Sequence, residues 1–217
     1  ASPDNARVIT EAGGTIDIAG NRNFGVTVTG SIEGAGIYHL SGAELQTGSL
    51  NLDTTVSGPI VDVQSIALGG RLTKVGTGTL TLAGINNYTG VTKINEGTLA
   101  ISSSPGTLTI GGLQMLAGSS LDFEIGSTRD HIIVTSNGAI SLAGALHVSL
   151  VDGFVPTLGQ SISLFEGAVG SITGAFGSIQ IPTIHGSTFD LVQTASSLFL
   201  QTVDAPPLPG DYSGNGF

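Results

Sequence analysis

GGRLTKVGTGTLTLAGINNYTGVTKINEGTL, residues 69–99, is the segment that specifies the fold. Within it, Gly78-Thr79-Leu80-Thr81-Leu82 forms a short phrase: a glycine, a small residue, then two aliphatic residues separated by one other. Alternation with a period of two places both aliphatic side chains on the same face of a β-strand. The glycine marks a turn of the backbone before the strand. The segment therefore predicts short strands, each with one apolar face that must be covered.

The same phrase recurs along the chain. Further copies begin at Gly14, Gly48, Gly97, Gly106, Gly138 and Gly144. A single strand of this kind cannot bury its aliphatic side chains, so successive copies must stack into a continuous ladder. We therefore predict an all-β fold, a β-solenoid of the right-handed parallel β-helix type. A Greek-key sandwich of short strands is the alternative, because the copies are irregularly spaced.

The segment also resembles a known family. Leu72–Leu82, Asn86–Gly90 and Gly97–Leu99 carry the motifs, in the right order, of the autotransporter-associated β-strand repeat, also called the passenger-associated transport repeat. The resemblance implies a parallel β-helix in an exported bacterial surface protein. It implies no activity and no catalytic positions, because this repeat is a scaffold element.

Composition narrows the classes of function. The 217 residues include 34 glycines and no cysteine, and 16 acidic side chains against six basic ones give a formal net charge of −10. Nucleic acid binding is not expected, because phosphates need clustered Lys and Arg. No apolar run approaches the ~18 residues of a membrane-spanning helix, so membrane insertion is not expected either. We predict a protein secreted by a bacterium or held on its cell surface: a secreted eukaryotic domain would more often carry disulfides, and the start Ala1–Asp4 resembles the end left by signal-peptide cleavage.

We divide the chain into three parts. Residues 1–104 are the solenoid repeat region, residues 105–203 a β-rich region that continues or caps it, and residues 204–217 a Pro-rich linker with a short tail. The middle part resembles the C-terminal part of large exported proteins of planctomycetes and related bacteria. Large aromatic side chains that suit a cap are concentrated there. They are Phe123, Phe154, Phe165, Phe176, Phe189 and Phe199.

The tail carries a metal-binding pattern. Asp211, Ser213 and Asn215 place oxygen atoms at alternate positions before Gly216, which is the first half of a Ca²⁺ loop. It resembles the start of a dockerin-type repeat. The serine is a weaker ligand than the usual acid or amide, and the sequence ends before loop position 12. The sequence therefore predicts an incomplete Ca²⁺ site in this tail and no other cofactor.

No arrangement of residues predicts catalysis. The histidines at positions 39, 131, 147 and 185 lack the spacing of metal ligands. Asp130 and His131 are adjacent, and adjacent strand residues point to opposite faces. Asp122 and Glu124 share one face of a strand, which would suit a glycosidase or a Ca²⁺ site, although a solvated strand face is the preferred interpretation. Serine-hydrolase and phosphate-loop motifs are absent from the sequence.

The sequence thus predicts a non-enzymatic structural protein of the cell exterior: a surface layer, matrix or fibre subunit. Its expected partner is itself, as a homo-oligomer or fibre, with Ala6–Thr10 as the joining strand. An adhesin or a module that binds cell-surface glycans is the alternative. A polysaccharide-active β-helix enzyme is the least favoured function, because it needs carboxylates that converge in a groove.

Overall fold

The chain winds in successive coils that stack into parallel sheets. The computed structural model describes residues 5–18, 25–62, 69–102, 107–126, 131–184 and 186–205, and within those ranges it contains β-strands and no α-helix. Every pairing between coils is parallel, and each coil lies against the one before it. The predicted all-β solenoid is confirmed. The stacked parallel sheets are consistent with the right-handed β-helix, the hand that parallel crossovers adopt almost without exception.

Each coil contributes its strands in the same order to three faces. The first five coils consist of β1 (Arg7–Thr10), β2 (Thr15–Asp17), β3 (Val26–Thr29), β4 (Ser31–Gly34), β5 (Ile37–His39), β6 (Glu44–Thr47), β7 (Thr54–Val56), β8 (Ile60–Val61), β9 (Arg71–Lys74), β10 (Thr79–Leu82), β11 (Asn86–Asn87), β12 (Val91–Ile94), β13 (Gly97–Ile101), β14 (Thr107–Ile110) and β15 (Gly112–Met115). Face 1 holds the first strand of each coil, face 2 the second and face 3 the third.

The later coils use longer strands. They consist of β16 (Ser119–Ile125), β17 (His131–Leu142), β18 (Ala145–Leu150), β19 (Ser161–Ser163), β20 (Phe165–Gly174), β21 (Ser178–Gln180), β22 (Ser187–Gln193) and β23 (Leu198–Asp204). β17 pairs with β14 through its first half and with β15 through its second half, so one strand serves faces 2 and 3. β20 pairs with β17 in the same way, and β16, β18 and β21 complete face 1.

The hydrophobic core lies inside the coils and is built of columns of stacked side chains. In face 1, Leu80, Leu99, Leu121 and Leu146 are successive neighbours in the parallel ladder. All four are buried. Burying a leucine side chain contributes about 1.5–3 kcal/mol, and here each leucine is covered by the coil above and the coil below. The stacking ladder that the alternating phrases predict is therefore present.

The glycine-led phrases lie on all three faces. The copies in β10, β13 and β18 belong to face 1, those in β2 and β14 to face 2, and the copy in the second half of β17 to face 3. Several columns line the interior, and each face supplies its own. This explains the irregular spacing of the copies, since consecutive phrases need not be one full coil apart.

One copy of the phrase, Gly48–Leu52, does not form a strand, and that prediction is wrong. Gly48 has a φ of +113° and Asn51 a φ of +57°, so the chain turns twice within five residues. Leu52 is consequently 43% exposed. The segment forms the corner between face 3 and face 1, where left-handed backbone interrupts the alternation.

A three-stranded antiparallel sheet, β19–β23–β22, covers the C-terminal end of the solenoid. β20 is the last strand of faces 2 and 3. The Ile172 N–H of β20 donates to the carbonyl of Ala195, 2.7 Å away, and the Leu164 N–H donates to the carbonyl of Leu198 at 3.0 Å. The predicted β-rich cap is confirmed, and it satisfies strand-edge groups that would otherwise face solvent.

Aromatic side chains fill the junction between the coils and this cap. Phe165 in β20 and Phe189 in β22 are buried. The ring of Phe165 meets Phe123 edge to face, with centroids 6.4 Å apart. Such pairs contribute about 0.5–1.5 kcal/mol beyond their buried area. Phe123 itself lies in an inner column of face 1, so not all of the clustered phenylalanines belong to the cap.

The predictions of domain boundaries and of membrane insertion can be compared with the structure only in part. The division of the chain at residues 104 and 203 stays a prediction, and residues 206–217 lie outside the described ranges. In the part of the chain that is described, no helix has the length and apolar character needed to cross a membrane.

Candidate functional site

A cleft runs along the outer surface of face 1 near its C-terminal end. Two rows of outward side chains border it, and neighbours within a row come from successive coils, roughly 4.8 Å apart. One row consists of Ala100, Asp122, His147 and Gln180, and the other of Ser102, Glu124 and Ser149. The cleft has a volume of about 240 Å³. Polar groups of several kinds thus converge on one surface.

Asp122 and His147 form the central contact of the cleft. The Oδ1 atom of Asp122 lies 3.1 Å from Nδ1 of His147, and the two side chains are 37% and 45% exposed. The Ser120 hydroxyl donates to the same Oδ1 at 3.1 Å. A polar contact this exposed adds about 0–1 kcal/mol to stability at most, so its presence does not explain the fold. Its effect is to hold two polar side chains in a defined orientation.

Ser120, His147 and Asp122 do not form a hydrolase triad. In such a triad the serine contacts one imidazole nitrogen and the acid contacts the other. Here the Ser120 hydroxyl lies 3.4 Å from Nδ1, the same nitrogen that faces Asp122. The imidazole therefore cannot accept the serine proton on one nitrogen while the carboxylate holds the N–H of the other, so this contact does not match that mode of activation.

Glu124 lies on the second side of the cleft. Its Oε2 accepts a hydrogen bond of 2.7 Å from the Ser102 hydroxyl in the preceding coil. Asp122 and Glu124 flank the buried Phe123 and line the same cleft, which confirms that they share one face of β16. Asp130, the third carboxylate considered in the sequence, lies outside the described residues.

Lys74 has a structural position in the segment that specifies the fold. It stands at an inward position of β9 and is only 1% exposed. Its Nζ donates to the carbonyls of Val75, Gly76 and Glu96 at 2.9, 2.7 and 3.2 Å. Burial lowers the pKa of Lys74 to about 8, and Glu96 and Asp53 oppose this shift. The ammonium group thus ties together carbonyls from two successive coils at the corner between faces 3 and 1.

The side chains of Asn86 and Tyr88 also form hydrogen bonds inside the coils. The Asn86 Oδ1 accepts from the Ile60 N–H at 2.9 Å, and its Nδ2 donates to the Gly84 carbonyl at 2.7 Å. The Tyr88 hydroxyl lies 2.7 Å from Oγ1 of Thr92, and burial raises the pKa of that phenol. Both side chains therefore satisfy buried polar groups.

Gly97 closes the same corner. Its φ is +69°, and a Cβ at this position would lie 2.3 Å from the Gly76 carbonyl oxygen. Only glycine adopts this backbone at such a close approach without strain. The motif residues of the segment thus have a structural explanation within the coils.

The predicted Ca²⁺ ligands Asp211, Ser213 and Asn215 lie outside the described residues, as does His185. Within the described ranges no group of three or more His, Asp or Glu side chains is placed to hold a metal ion. The calcium prediction therefore stays untested.

The Asp122–His147 contact was missed at the level of sequence because 25 residues separate the two. A signal was nevertheless present. Aligning Ser120–Phe123 with the phrase Ala145–Val148 places Asp122 opposite His147, as the ladder does.

Comparison with known proteins finds one family model that matches part of the chain. Residues 72–101 match the model described as passenger-associated-transport-repeat. No curated protein matches the chain. The match begins in β9, contains the whole of coil 4 and ends with β13. The segment that specifies the fold is therefore similar to the repeat of autotransporter passenger-type β-helical domains, as its motifs indicated.

Proposed function

We propose that this chain is a structural scaffold of a secreted or cell-surface bacterial protein, such as a surface layer, matrix or fibre subunit. One observation carries the proposal. The motif residues of the matched segment serve the corners and the interior: Lys74, Asn86, Tyr88 and Gly97 hold coils together, and none of them lines the cleft. A segment whose characteristic residues maintain shape supports a function that consists of maintaining shape.

The mechanism of such a scaffold is mechanical. Backbone hydrogen bonds run between every pair of successive coils, and the inner columns exclude water along their length. Each coil is stabilised by its neighbours, as in other repeat proteins. The 217 residues contain no cysteine, so this stiffness is reached without disulfides.

A display experiment tests the scaffold. The chain would be placed between an outer-membrane anchor and an N-terminal epitope, and the epitope would be measured with antibody on intact, protease-treated cells. We expect Leu99→Asp, in an inner column, to abolish the signal. We expect the outward variant Thr81→Ala/Glu124→Gln to keep it. An unchanged signal for Leu99→Asp would contradict the proposal, and so would release of reducing sugar from a polysaccharide panel by the purified protein.

Self-association is a second part of the proposal, and the first coil supports it. Ile9 in β1 is 54% exposed, and Val8 stands half-buried at the end of an inner column. Among the described strands, β1 pairs with β4 alone, and no described strand lies on its other edge. A second copy could add its own strand there by β-augmentation, with Ala6–Thr10 as the joining segment.

Sedimentation velocity tests the joining strand. We expect Ile9→Lys to abolish oligomers, because a charge on an edge strand blocks pairing. Ile85→Lys is the matched control, since Ile85 is also exposed but lies in coil 4, away from the end. Equal oligomer content in both variants, or a wild-type protein that stays monomeric at every concentration, would contradict this part.

Glycan binding, as in an adhesin, is the alternative function, and the face 1 cleft is the feature that favours it. A polysaccharide-active enzyme is less favoured: Asp122 and Glu124 border the same cleft, but no Lys or Arg stands beside them among the described lining residues, as a polysaccharide-active β-helix enzyme would need. The β-solenoid fold and the matched repeat are not specifically enzymatic.

A further inference from the structure

The outer row of face 1 changes character along the solenoid. In coils 3 to 5 the row consists of Thr55, Thr81 and Ala100, all small side chains. In the next two coils and β21 the same row carries Asp122, His147 and Gln180. Glu33 of coil 2 stands in the same row and is hydrogen-bonded to Arg7. The last coils differ in carrying three such side chains in succession, which the stability of the scaffold does not explain.

Asp122 is held in place but keeps one oxygen available. Its Oδ1 takes both contacts, from Ser120 and from His147. Its Oδ2 has no protein partner in the described part of the chain. An ionised carboxylate offers about four lone-pair sites, so this oxygen can accept hydroxyl or amide donors from a ligand. A carboxylate fixed before binding loses little side-chain freedom when the ligand arrives.

The lining of the cleft selects among ligand classes. The described residues that border it include two carboxylates, an imidazole, an amide and serine hydroxyls, but no Lys or Arg. Phosphates, sulfates and uronic acids would be repelled by Asp122 and Glu124. Apolar ligands find no exposed aromatic surface, because Phe123 is buried beneath the rows. Both carboxylates already accept serine hydroxyls, which is the contact that a sugar hydroxyl would make.

We propose that the face 1 cleft binds a neutral, hydroxyl-rich glycan, with Asp122 as the principal acceptor and His147 as the residue that positions it. The ligand lies along the rows, so that successive hydroxyls meet successive coils. This inference rests on the glycan-binding alternative and not on the scaffold function, which is independent of outward side chains.

Titration followed by ¹H–¹⁵N NMR tests the site. The probes are neutral gluco- and manno-oligosaccharides, with oligogalacturonate as the acidic probe and hexalysine as the basic one. We expect a neutral oligosaccharide to shift amide signals of β16 and β18 and to leave those of β7 and β10 unchanged. Oligogalacturonate and hexalysine should leave all four strands unchanged.

Variants assign the effect to the cleft. We expect Asp122→Ala to weaken binding at least about tenfold, which is the loss of a charge-assisted hydrogen bond. His147→Ala should weaken it less. Thr81→Ala is the matched control, since it removes an outward side chain of the same row two coils away, and its affinity should equal that of the wild type. Equal melting temperatures would show that all three variants are folded.

Three results would overturn the inference. They are the absence of shifts in β16 and β18 at about 10 mM of every neutral probe, Asp122→Ala binding as tightly as the wild type, and shifts in these strands with hexalysine alone. None of these results bears on the display experiment, so failure of the glycan site and failure of the scaffold are distinguishable.

Discussion

The first three coils and the later ones fill the same inner column of face 3 with different chemistry. From the N-terminal end, the column consists of Thr29, Thr47, Lys74, Ile94, Met115 and Leu142. All six are buried. In the described structure the hydroxyls of Thr29 and Thr47 have no hydrogen-bond partner. This column is thus polar at one end of the solenoid and aliphatic at the other, whereas neighbouring interior positions of coils 2 and 3, such as Leu45 and Leu72, are apolar.

This difference separates what forms a coil from what stabilises it. The parallel backbone ladder is the same at both ends, so the fold does not require an aliphatic side chain at every position of this column. A buried hydroxyl without a partner costs about 1–3 kcal/mol, whereas a buried aliphatic side chain contributes. Since coils depend mainly on their neighbours, we expect coils 1 and 2 to open more readily than coils 5 to 7. Hydrogen exchange resolved by coil measures this directly.

The largest effect on stability is expected from a substitution in the aliphatic end of the solenoid. Phe123→Ala should lower the free energy of unfolding by about 3–5 kcal/mol, because it leaves a cavity in an inner column and deletes the ring contact with Phe165. Urea denaturation measures the loss, and amide exchange in coils 5 to 7 should rise to the level of coils 1 and 2. Ile85→Ala, at an exposed position, is the control. A loss under 1 kcal/mol for Phe123→Ala would show that the aliphatic columns are not what stabilises this end.

The second effect concerns the charge at the boundary between the two ends. Burial lowers the pKa of Lys74 from 10.5 to about 8. Between these values the unfolded chain binds more protons than the folded one, so stability rises with pH. We expect the free energy of unfolding to increase by about 2–3 kcal/mol between pH 7 and pH 10, relative to Lys74→Met.

The comparison with Lys74→Met isolates this titration. The raised pKa of Tyr88 acts in the opposite direction above about pH 10, where its unfolded form ionises first, but it is present in both proteins and cancels. Urea midpoints at several pH values supply the measurement. Parallel pH profiles for the two proteins would show that the ammonium is equally favourable in both states.

The third effect is a change in stability on replacing a buried threonine by valine, and we expect its sign to differ between the two ends. Thr47→Val removes a buried hydroxyl that has no partner and should stabilise the protein by about 1 kcal/mol. Thr92→Val, in coil 4 of the same face, removes the hydroxyl that meets Tyr88 and should destabilise it by a similar amount. Thermal melting of the two variants measures the pair. Melting-temperature shifts of the same sign for both variants would contradict the explanation based on the polar column.

The smallest effect is expected at the exposed surface of the first coil. The Arg7 guanidinium is hydrogen-bonded to Glu33, and this contact lowers the pKa of that carboxyl. Arg7 is exposed, so solvent screens the pair, and Arg7→Ala should leave the unfolding midpoint unchanged within error. A loss comparable to that of Phe123→Ala would mean that surface pairs hold the first coil together.

Lys74 shows how much of a buried polar contact can be predicted from local sequence pattern. Its position in β9, two residues after the buried Leu72, is an inward position by simple alternation. Local pattern therefore predicts that the Lys74 side chain points inward. It does not predict the carbonyls whose hydrogen bonds compensate for burying the ammonium group. Those come from Val75, Gly76 and Glu96, and one of them belongs to the next coil.

The cleft contains a contact that local sequence pattern does not predict. That Asp122 and Glu124 share a face follows from alternation within β16, and the structure confirms it. That His147 faces Asp122 depends on the length of one coil. Ladder partners stand 19 residues apart at Thr79 and Thr98 but 33 apart at Ala145 and Ser178, so no fixed period would have supplied the partner.

Short-range pattern is enough to specify the strands, the glycine corners and the stacked architecture of this protein, because alternation and turn formation depend on residues close together in the chain. Which side chains become neighbours across coils is a property of the assembled solenoid. Corner loops of variable length absorb insertions, and the register is set only when backbone hydrogen bonds and buried columns align one coil on the next. The polar column of the first coils and the cleft on face 1 both arise at that stage.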